Sequence, residues 1–481
     1  MKTKVRVRFA PSPTGLMHIG GMRTALFNYL FAKHADGDFI LRLEDTDRER
    51  LVEAGVEQIQ RSLDWLGLRP NEGYWLGKHI GKFGPYVQSQ RLPHYQDYAK
   101  QLVDTGLAYY SHISANDFKT LRESAMAAKR PFVYRQEMES KGSSTPSKNL
   151  PIRLKVTSGM TKWQDELRGG FELNNDLIDD FIILKADGFP TYNFASVIDD
   201  HMMQISHVIR GDEFIASTPK HAMLYDLLKW QRPRWIHLPV INGASGKKLS
   251  KRDGDTDVLD YETRGYLPSA LINFLALLGW NDGTTQEIFS LDELIDKFDY
   301  KRLQKSPAIF DKERLEWMNG VYIREKISQP EYLKRVTSEL EKAGIDIKKH
   351  TTEYIAAAAN LERERIKTFD QAADLLDFFF ITPDLDSSQL DLICAKGDKA
   401  EVGRLLEAAA SELSNCSDNT KSIEDCLRQL ADELDIKSGQ LFYPIRVALT
   451  GKTAAPGLFE TIAVLGITES TKRIKAAAQA L

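Results

Sequence analysis

At 481 residues the chain exceeds what one hydrophobic core organises, so two to four modules are expected. It is 42% hydrophobic and 27% charged, an ordinary balance for a globular chain, which argues against wholesale disorder. The net charge of −4 divides into about −6 over residues 331–481 and about +2 before them, so a polyanionic partner must be met by local basic patches, not by bulk charge.

The cysteines, Cys394, Cys416 and Cys426, all lie in the C-terminal third and form no CxxC pair, so they read as reduced thiols. Met1-Lys2-Thr3-Lys4-Val5-Arg6 leads into a short strand and not into an apolar signal core. The longest apolar run, Ala270 to Trp280, is too short to cross a bilayer. A cytoplasmic location with no membrane partner is the expectation.

Along the chain, residues 5–10 alternate as a strand, which Pro11-Ser12-Pro13-Thr14-Gly15 breaks. Ile19, Met22, Ala25, Leu26, Tyr29 and Leu30 then recur at helical spacing, and Gly37 sits where that helix should stop. A second strand, Phe39 to Leu43, leads to Thr46-Asp47-Arg48-Glu49, which reads as a capping box before a helix bearing Val52, Val56, Ile59, Leu63 and Leu66. Strand, helix and strand in this order predict a βαβ unit and a parallel sheet. From about Gln88 to Pro190 the pattern turns irregular, as in an insertion, with an exposed loop expected at Lys141 to Pro151. Strands at Ile205–Ile209 and Trp235–Ile241, separated by a helix around Pro219–Lys229, are expected to complete the first sheet. After about residue 330 helical periodicity dominates, which predicts an all-α C-terminal domain without internal repeats.

Two motifs carry chemistry. Pro11 to Gly21, PSPTGLMHIGG, lies between the first strand and the first helix. Its glycines let backbone approach a ligand, and a helix start offers unpaired N–H groups to phosphate, with His18 as a further donor. Neither GxxxxGK[ST] nor GxGxxG occurs. The second motif, Lys247-Lys248-Leu249-Ser250-Lys251-Arg252, would read alone as a solvated basic loop. Paired with the first, its lysines become cations that can close on a polyphosphate.

The pair HIGG and KLSKR resembles the two signatures of class I aminoacyl-tRNA synthetases. The strings RFAPSPTGLMHIGGMRTALFNYLFA, LRLEDTD, GFPTYNFASVIDDHMMQISHVIRGDE, KKLSKRDG, LGWNDG, KSPAIFD and ERIKTFDQAADLLDFFF are similar to the bacterial glutamyl-tRNA synthetases in particular, as are GQLFYPIRVALTG and LFETIAVLGI near the end. The resemblance spans nearly the whole chain. It implies an α/β, Rossmann-like catalytic region over 1–330, with halves at about 1–87 and 190–255, an acceptor-binding insertion at about 88–189 and a stem-contact region at about 256–330. An all-α anticodon-binding domain over 331–481 would follow.

The resemblance also implies residue roles. Arg8, Ser12, Glu44, Tyr192, Ser196 and Arg210 fall where the family binds glutamate, and an amino acid with two carboxylates and one ammonium requires two cations and one anion. Arg8 and Tyr192 are assigned to the side-chain carboxylate, Arg210 to the α-carboxylate and Glu44 to the ammonium; Ser196 stands where some relatives carry Asn. Thr14, His18, Gly20, Glu213, Ile241 and Lys251 match ATP-binding positions, with His18, Lys248 and Lys251 as the catalytic groups. Many relatives carry a Cys-rich zinc site in the insertion, but this chain reads AYYSHIS at 108–114 and has no cysteine before Cys394, so no metal site is expected. ATP, Mg2+, glutamate and tRNA(Glu) are the implied substrates and cofactors, with a monomer as the family expectation. Whether tRNA(Gln) is also accepted is not legible in any local motif.

Overall fold

The structure is a computed structural model that describes residues 4–52, 54–113, 115–130, 142–143, 149–249 and 256–481. The chain divides into two units, Met1–Glu262 with Leu271–Asp311 and Thr263–Ala270 with Lys312–Leu481.

In the first unit the alternating residues become β1 (Arg6–Phe9), all four of which are buried. A strand covered on both faces must pair its polar side chains. Arg6 reaches Asp38 at 2.6 Å and Glu72 at 2.8 Å, and Arg8 reaches Asp200 at 3.0 Å. α1 (Ile19–His34) connects β1 to β2 (Asp38–Leu41), and it buries the Ile19, Met22, Ala25, Leu26, Tyr29 and Leu30 face that predicted it. β1 and β2 run parallel, as the βαβ reading requires. Gly37 acts through close approach, since a Cβ there would collide with the Val5 carbonyl; the positive φ after the helix, 49°, belongs to Asp36.

The capping box expected at Thr46–Glu49 does not form. Asp47 pairs with Arg50, Val52 N–H donates to the Pro13 carbonyl at 2.9 Å, and helix α2 (Gly55–Trp65) starts only after that tether. β3 (Glu72–Trp75) extends the parallel sheet, and β4 (Lys78–Ile80) closes its edge antiparallel.

Residues 92–184 supply α3 (Leu92–Asp104), β5 (Ala108–Ser111), α4 (Ala115–Ala127), β6 (Gly142–Ser143), β7 (Ile152–Leu154), β8 (Met160–Asp165), β9 (Gly169–Asn174) and β10 (Ile182–Leu184). β10, β7, β5 and β6, in that order, form a separate antiparallel sheet. Within the expected Lys141–Pro151 loop, Gly142–Ser143 is therefore a strand; residues 141 and 144–148 lie outside the described residues.

After α5 (Tyr192–Met202) comes β11 (His207–Gly211), followed by α6 (Thr218–Leu227) and β12 (Arg234–Leu238). The two strands pair in parallel, but they do not complete the first sheet as expected. Their ladder continues into β8 and β9, drawn from the stretch read as an insertion, while β1 is joined to the chain before β11 by Ser206 N–H donating to the Arg6 carbonyl at 2.9 Å. Short strand β13 (Ile241–Asn242) pairs with β14 (Ala308–Ile309).

The second unit is helical from Lys312–Glu325 to Ile467–Ala480, with no strand among its described residues. Cys416 and Cys426 are joined as a disulfide between the turn after one helix and the middle of the next, whereas the sequence reading took them as reduced thiols; Cys394 is a free thiol. Their separation of ten residues is bridged because a helix–turn–helix brings the two cysteines face to face, a proximity that no CxxC spacing announces.

Candidate active site

The C-terminal ends of parallel strands and the loops after them form a natural crevice. Here it is a cleft of about 1200 Å³ in the first unit. β1 and the PSPTG turn form one wall. The start of α1, the end of β2, the start of α5, the end of β11 and the Ile241–Leu249 hairpin supply the rest.

Of the predicted site residues, Arg8, Ser12, His18, Gly20, Glu44, Tyr192, Arg210, Glu213, Ile241 and Lys248 line this cleft. Thr14 is exposed and Ser196 is fully buried, and neither is on the lining. Lys251, with Ser250 and Arg252, lies outside the described residues.

At one end the cleft is built from buried charge. Arg8 Nε donates to Asp200 Oδ1 at 3.0 Å, and Arg42 Nη1 donates to the same oxygen at 2.7 Å. Arg42 Nη2 reaches Glu44 Oε1 at 2.9 Å and Ser196 Oγ at 3.4 Å. Ser196 thus touches the support of the cleft and not its surface. Burial pushes the Asp200 carboxyl up, but Arg8 and Arg42 together outweigh it and hold it below the usual range. For Glu44 burial wins, and its carboxyl is raised despite Arg42 and Arg8. Beneath them Asp199 takes bonds from Arg91 at 2.6 Å, Gln88 at 2.9 Å and Tyr95 at 2.8 Å. Arg210 donates to the Tyr192 hydroxyl at 3.0 Å, and burial raises that phenol.

At the other end His18 is the N-cap of α1. Its Nδ1 accepts the Gly20 N–H at 3.0 Å, so the ring sits over the positive end of the helix. The two motifs meet here. Gly243 and Lys247 close a tight hairpin that sets Lys248 on the cleft wall, while Ile19 N–H donates to Thr256 O at 2.9 Å and Val258 N–H to Met17 O at 3.0 Å. Thr256 and Val258 are therefore anchored beside HIGG, and Lys248 stands on the same cleft. Among the described residues no group of three His, Cys, Asp or Glu side chains could hold a metal ion.

Such a cleft has one pole of alternating Arg and carboxylate and one pole of helix N-terminus and lysine. It suits a zwitterionic acid at the first and a polyphosphate at the second. The family model for class I tRNA synthetases (E and Q), catalytic domain, matches residues 4–317, and that for the anticodon binding domain matches residues 328–478. The chain belongs to the class I tRNA synthetases of the E and Q type. Among curated relatives, the glutamate–tRNA ligase of Dehalococcoides mccartyi is 45% identical, covering 97% of this chain and 95% of that one. The glutamate–tRNA ligase of Clostridium tetani is 41% identical over 98% and 97%. The crystal structure of a glutamate tRNA ligase from Elizabethkingia meningosepticum, in complex with its amino acid, matches with a TM-score of 0.90 at 34% identity over 99% of both chains.

Sequence reasoning missed Arg42, Asp199 and Asp200. Arg42 and the acids lie in quoted strings, LRLEDTD and VIDDHMM, and the signal was there: two adjacent acids and an arginine amid otherwise apolar neighbours need partners if buried. It also missed Arg23, buried on α1 and lining the cleft, where burial lowers its guanidinium to about 10 against the pull of Asp212 and Glu213.

Proposed function

We propose that this chain is a glutamate–tRNA ligase, activating L-glutamate with ATP and transferring it to the 3'-terminal adenosine of tRNA(Glu). The observation that carries the reading is the single cleft in which Arg8, Glu44, Tyr192 and Arg210 stand opposite His18, Gly20 and Lys248. Arg8 and Tyr192 are the partners for the side-chain carboxylate, Arg210 for the α-carboxylate and Glu44 for the ammonium. The nucleotide takes the α1 end, with Gly20, Glu213 and Ile241 as its wall.

The α-carboxylate attacks the α-phosphate of ATP in line, forming the acyl–phosphate bond as pyrophosphate leaves. His18, Lys248 and Lys251 meet the charge that moves onto the departing oxygens. A terminal ribose hydroxyl of the tRNA then attacks the mixed anhydride and AMP departs. No protein nucleophile takes part. Mg2+ would accompany the triphosphate at the His18 and Lys248 end of the cleft and would supply neutralisation of its negative charge. Zinc is outside this reading, as are a membrane partner and an obligate oligomer, and a monomer in the cytoplasm is the working state.

ATP–pyrophosphate exchange with glutamate, run with and without tRNA(Glu), tests the proposal; no glutamate-dependent exchange in either case would overturn it. Lys251→Ala should lose about 10²–10³ in the rate of adenylate formation while glutamate still binds.

A further inference from the structure

Arg210 presents five N–H donors, and five acceptors surround it. Nε donates to His237 Nε2 at 3.0 Å. Nη1 donates to the Tyr192 hydroxyl at 3.0 Å and faces His221 Nδ1 at 3.3 Å. Nη2 donates to Thr218 Oγ1 at 3.0 Å and to the Phe214 carbonyl at 3.4 Å. Guanidinium never accepts, so each imidazole must present a lone pair to it.

The outer contacts settle which nitrogen carries each proton. His237 Nδ1 lies 2.7 Å from Asp165 Oδ2, so that nitrogen donates to the carboxylate and Nε2 is left to accept. His221 is the reverse: Nε2 lies 3.1 Å from Asn193 Oδ1 and donates, while Nδ1 accepts. Both rings are neutral, in opposite tautomers. Their surroundings agree, because burial drives His221 well below the ordinary histidine range with Arg210 adding to it, and burial lowers His237 despite Asp165. The Thr218 hydroxyl donates to the Phe214 carbonyl at 3.1 Å, so it too accepts from Arg210.

Guanidinium only donates, so the polarity of its bond to Tyr192 is fixed, and the two imidazole acceptors fix where that donor stands. The hydroxyl accepts from Arg210, and its own proton serves the cleft that Tyr192 lines together with Arg8. Arg8 is likewise donor-only. A carboxylate accepts from both groups, whereas a carboxamide bridging them must turn its NH2 toward one and set a donor against a donor. A site built around such polarity rejects the wrong isostere strongly, because a buried N–H is left unpaired.

We propose that His221 and His237 are positioning residues for amino-acid selection: through Arg210 they hold the Tyr192 hydroxyl as a donor and so set the preference of the pocket for a carboxylate over a carboxamide side chain. Neither histidine lines the cleft. The proposal rests on the glutamate reading of the same pocket, and its test separates the two.

Exchange by the unaltered protein with glutamate tests that reading. The ratio of kcat/KM for glutamate to that for glutamine, compared between variants, tests the positioning. His221→Leu removes the acceptor and should raise the glutamate KM and narrow the ratio by tenfold or more, with the KM for ATP unchanged. His221→Asn places an amide oxygen near the position of Nδ1 and should restore most of the ratio. An unchanged ratio in a folded His221→Leu protein, or an Asn variant no better than Leu, overturns the proposal. If His221→Leu does not fold, nitrogen-15 spectra of histidine-labelled unaltered protein decide. His237 protonated on Nδ1 and His221 on Nε2 at pH 7 are the expected signatures; a shared tautomer or an imidazolium at either position overturns it.

Discussion

Asp200 Oδ1 takes a hydrogen bond from Arg8 at 3.0 Å and one from Arg42 at 2.7 Å, with none of the three side chains more than 4% exposed. Removing a buried carboxylate leaves two guanidinium groups desolvated and facing each other, and breaking one side of such a pair costs about 3–5 kcal/mol. Asp200→Ala should therefore lower the unfolding free energy of the first unit by that order in a urea titration, and a loss under about 1 kcal/mol would mean the pair behaves as a solvated one. The glutamate KM should rise as well, because Arg8 loses the group that orients it. Glu44 and Arg8 were recognisable from their motif strings, but nothing local to VIDDHMM says that its second acid is the partner of an arginine 192 residues earlier.

At the scale of elements, α1 does two things with one residue. His18 caps the helix through Nδ1 and stands at the α1 end of the cleft. The two roles separate by substitution. His18→Ala should lose about 1 kcal/mol of stability with the cap and about 10² in activation rate with the donor. His18→Asn, a good N-cap, should recover the stability but not the rate, as a thermal melt and single-turnover adenylate formation would read. In the second unit, Gly265 has φ +72° and a Cβ there would lie 2.5 Å from the Phe369 Cβ. Gly265→Ala combines left-handed strain with a clash, so a loss of about 1–3 kcal/mol is expected by denaturant titration. The Thr46–Glu49 box illustrates how an element fails: the local pattern for a helix start was present, but Val52 donates to Pro13 instead, and the helix begins at Gly55.

For the whole molecule, the buried histidines of the first unit and Glu362 of the second answer acid in opposite directions. Burial, aided by Arg234, lowers His207 to about 4, and burial lowers His221 and His237. An unfolded chain protonates such histidines near the ordinary 6.5, before the folded chain does, so stability drains from the first unit as pH falls from about 6.5 toward 4. Glu362 runs the other way. Burial raises its carboxyl to about 7 against Arg365, the folded chain takes the proton first, and the second unit gains stability as pH falls from 7 toward 4.5. Hydrogen exchange followed peptide by peptide from pH 7.5 to 5.5 should show protection falling around β11 and rising around Thr352–Glu362. His207→Gln should blunt the first change and Glu362→Gln the second.

The sequence alone determined what depends on a few neighbouring residues. The apolar spacing of Ile19 to Leu30 made α1, helical periodicity after residue 330 made the second unit all-α, and the two motif strings were enough to state the family and its chemistry. Periodicity and short strings are local, so they survive being read without the fold. Tertiary structure decided the partners. It gave Arg8 to Asp200, Arg42 to Glu44 and Asp200, and Arg210 to two histidines. It moved β8 and β9 into the ladder of β11 and β12, and it brought Cys416 to Cys426. These choices follow from sheet register and from the rule that a buried charge must find a counter-charge wherever the chain brings one, and that distance in space is not written in the distance along the sequence.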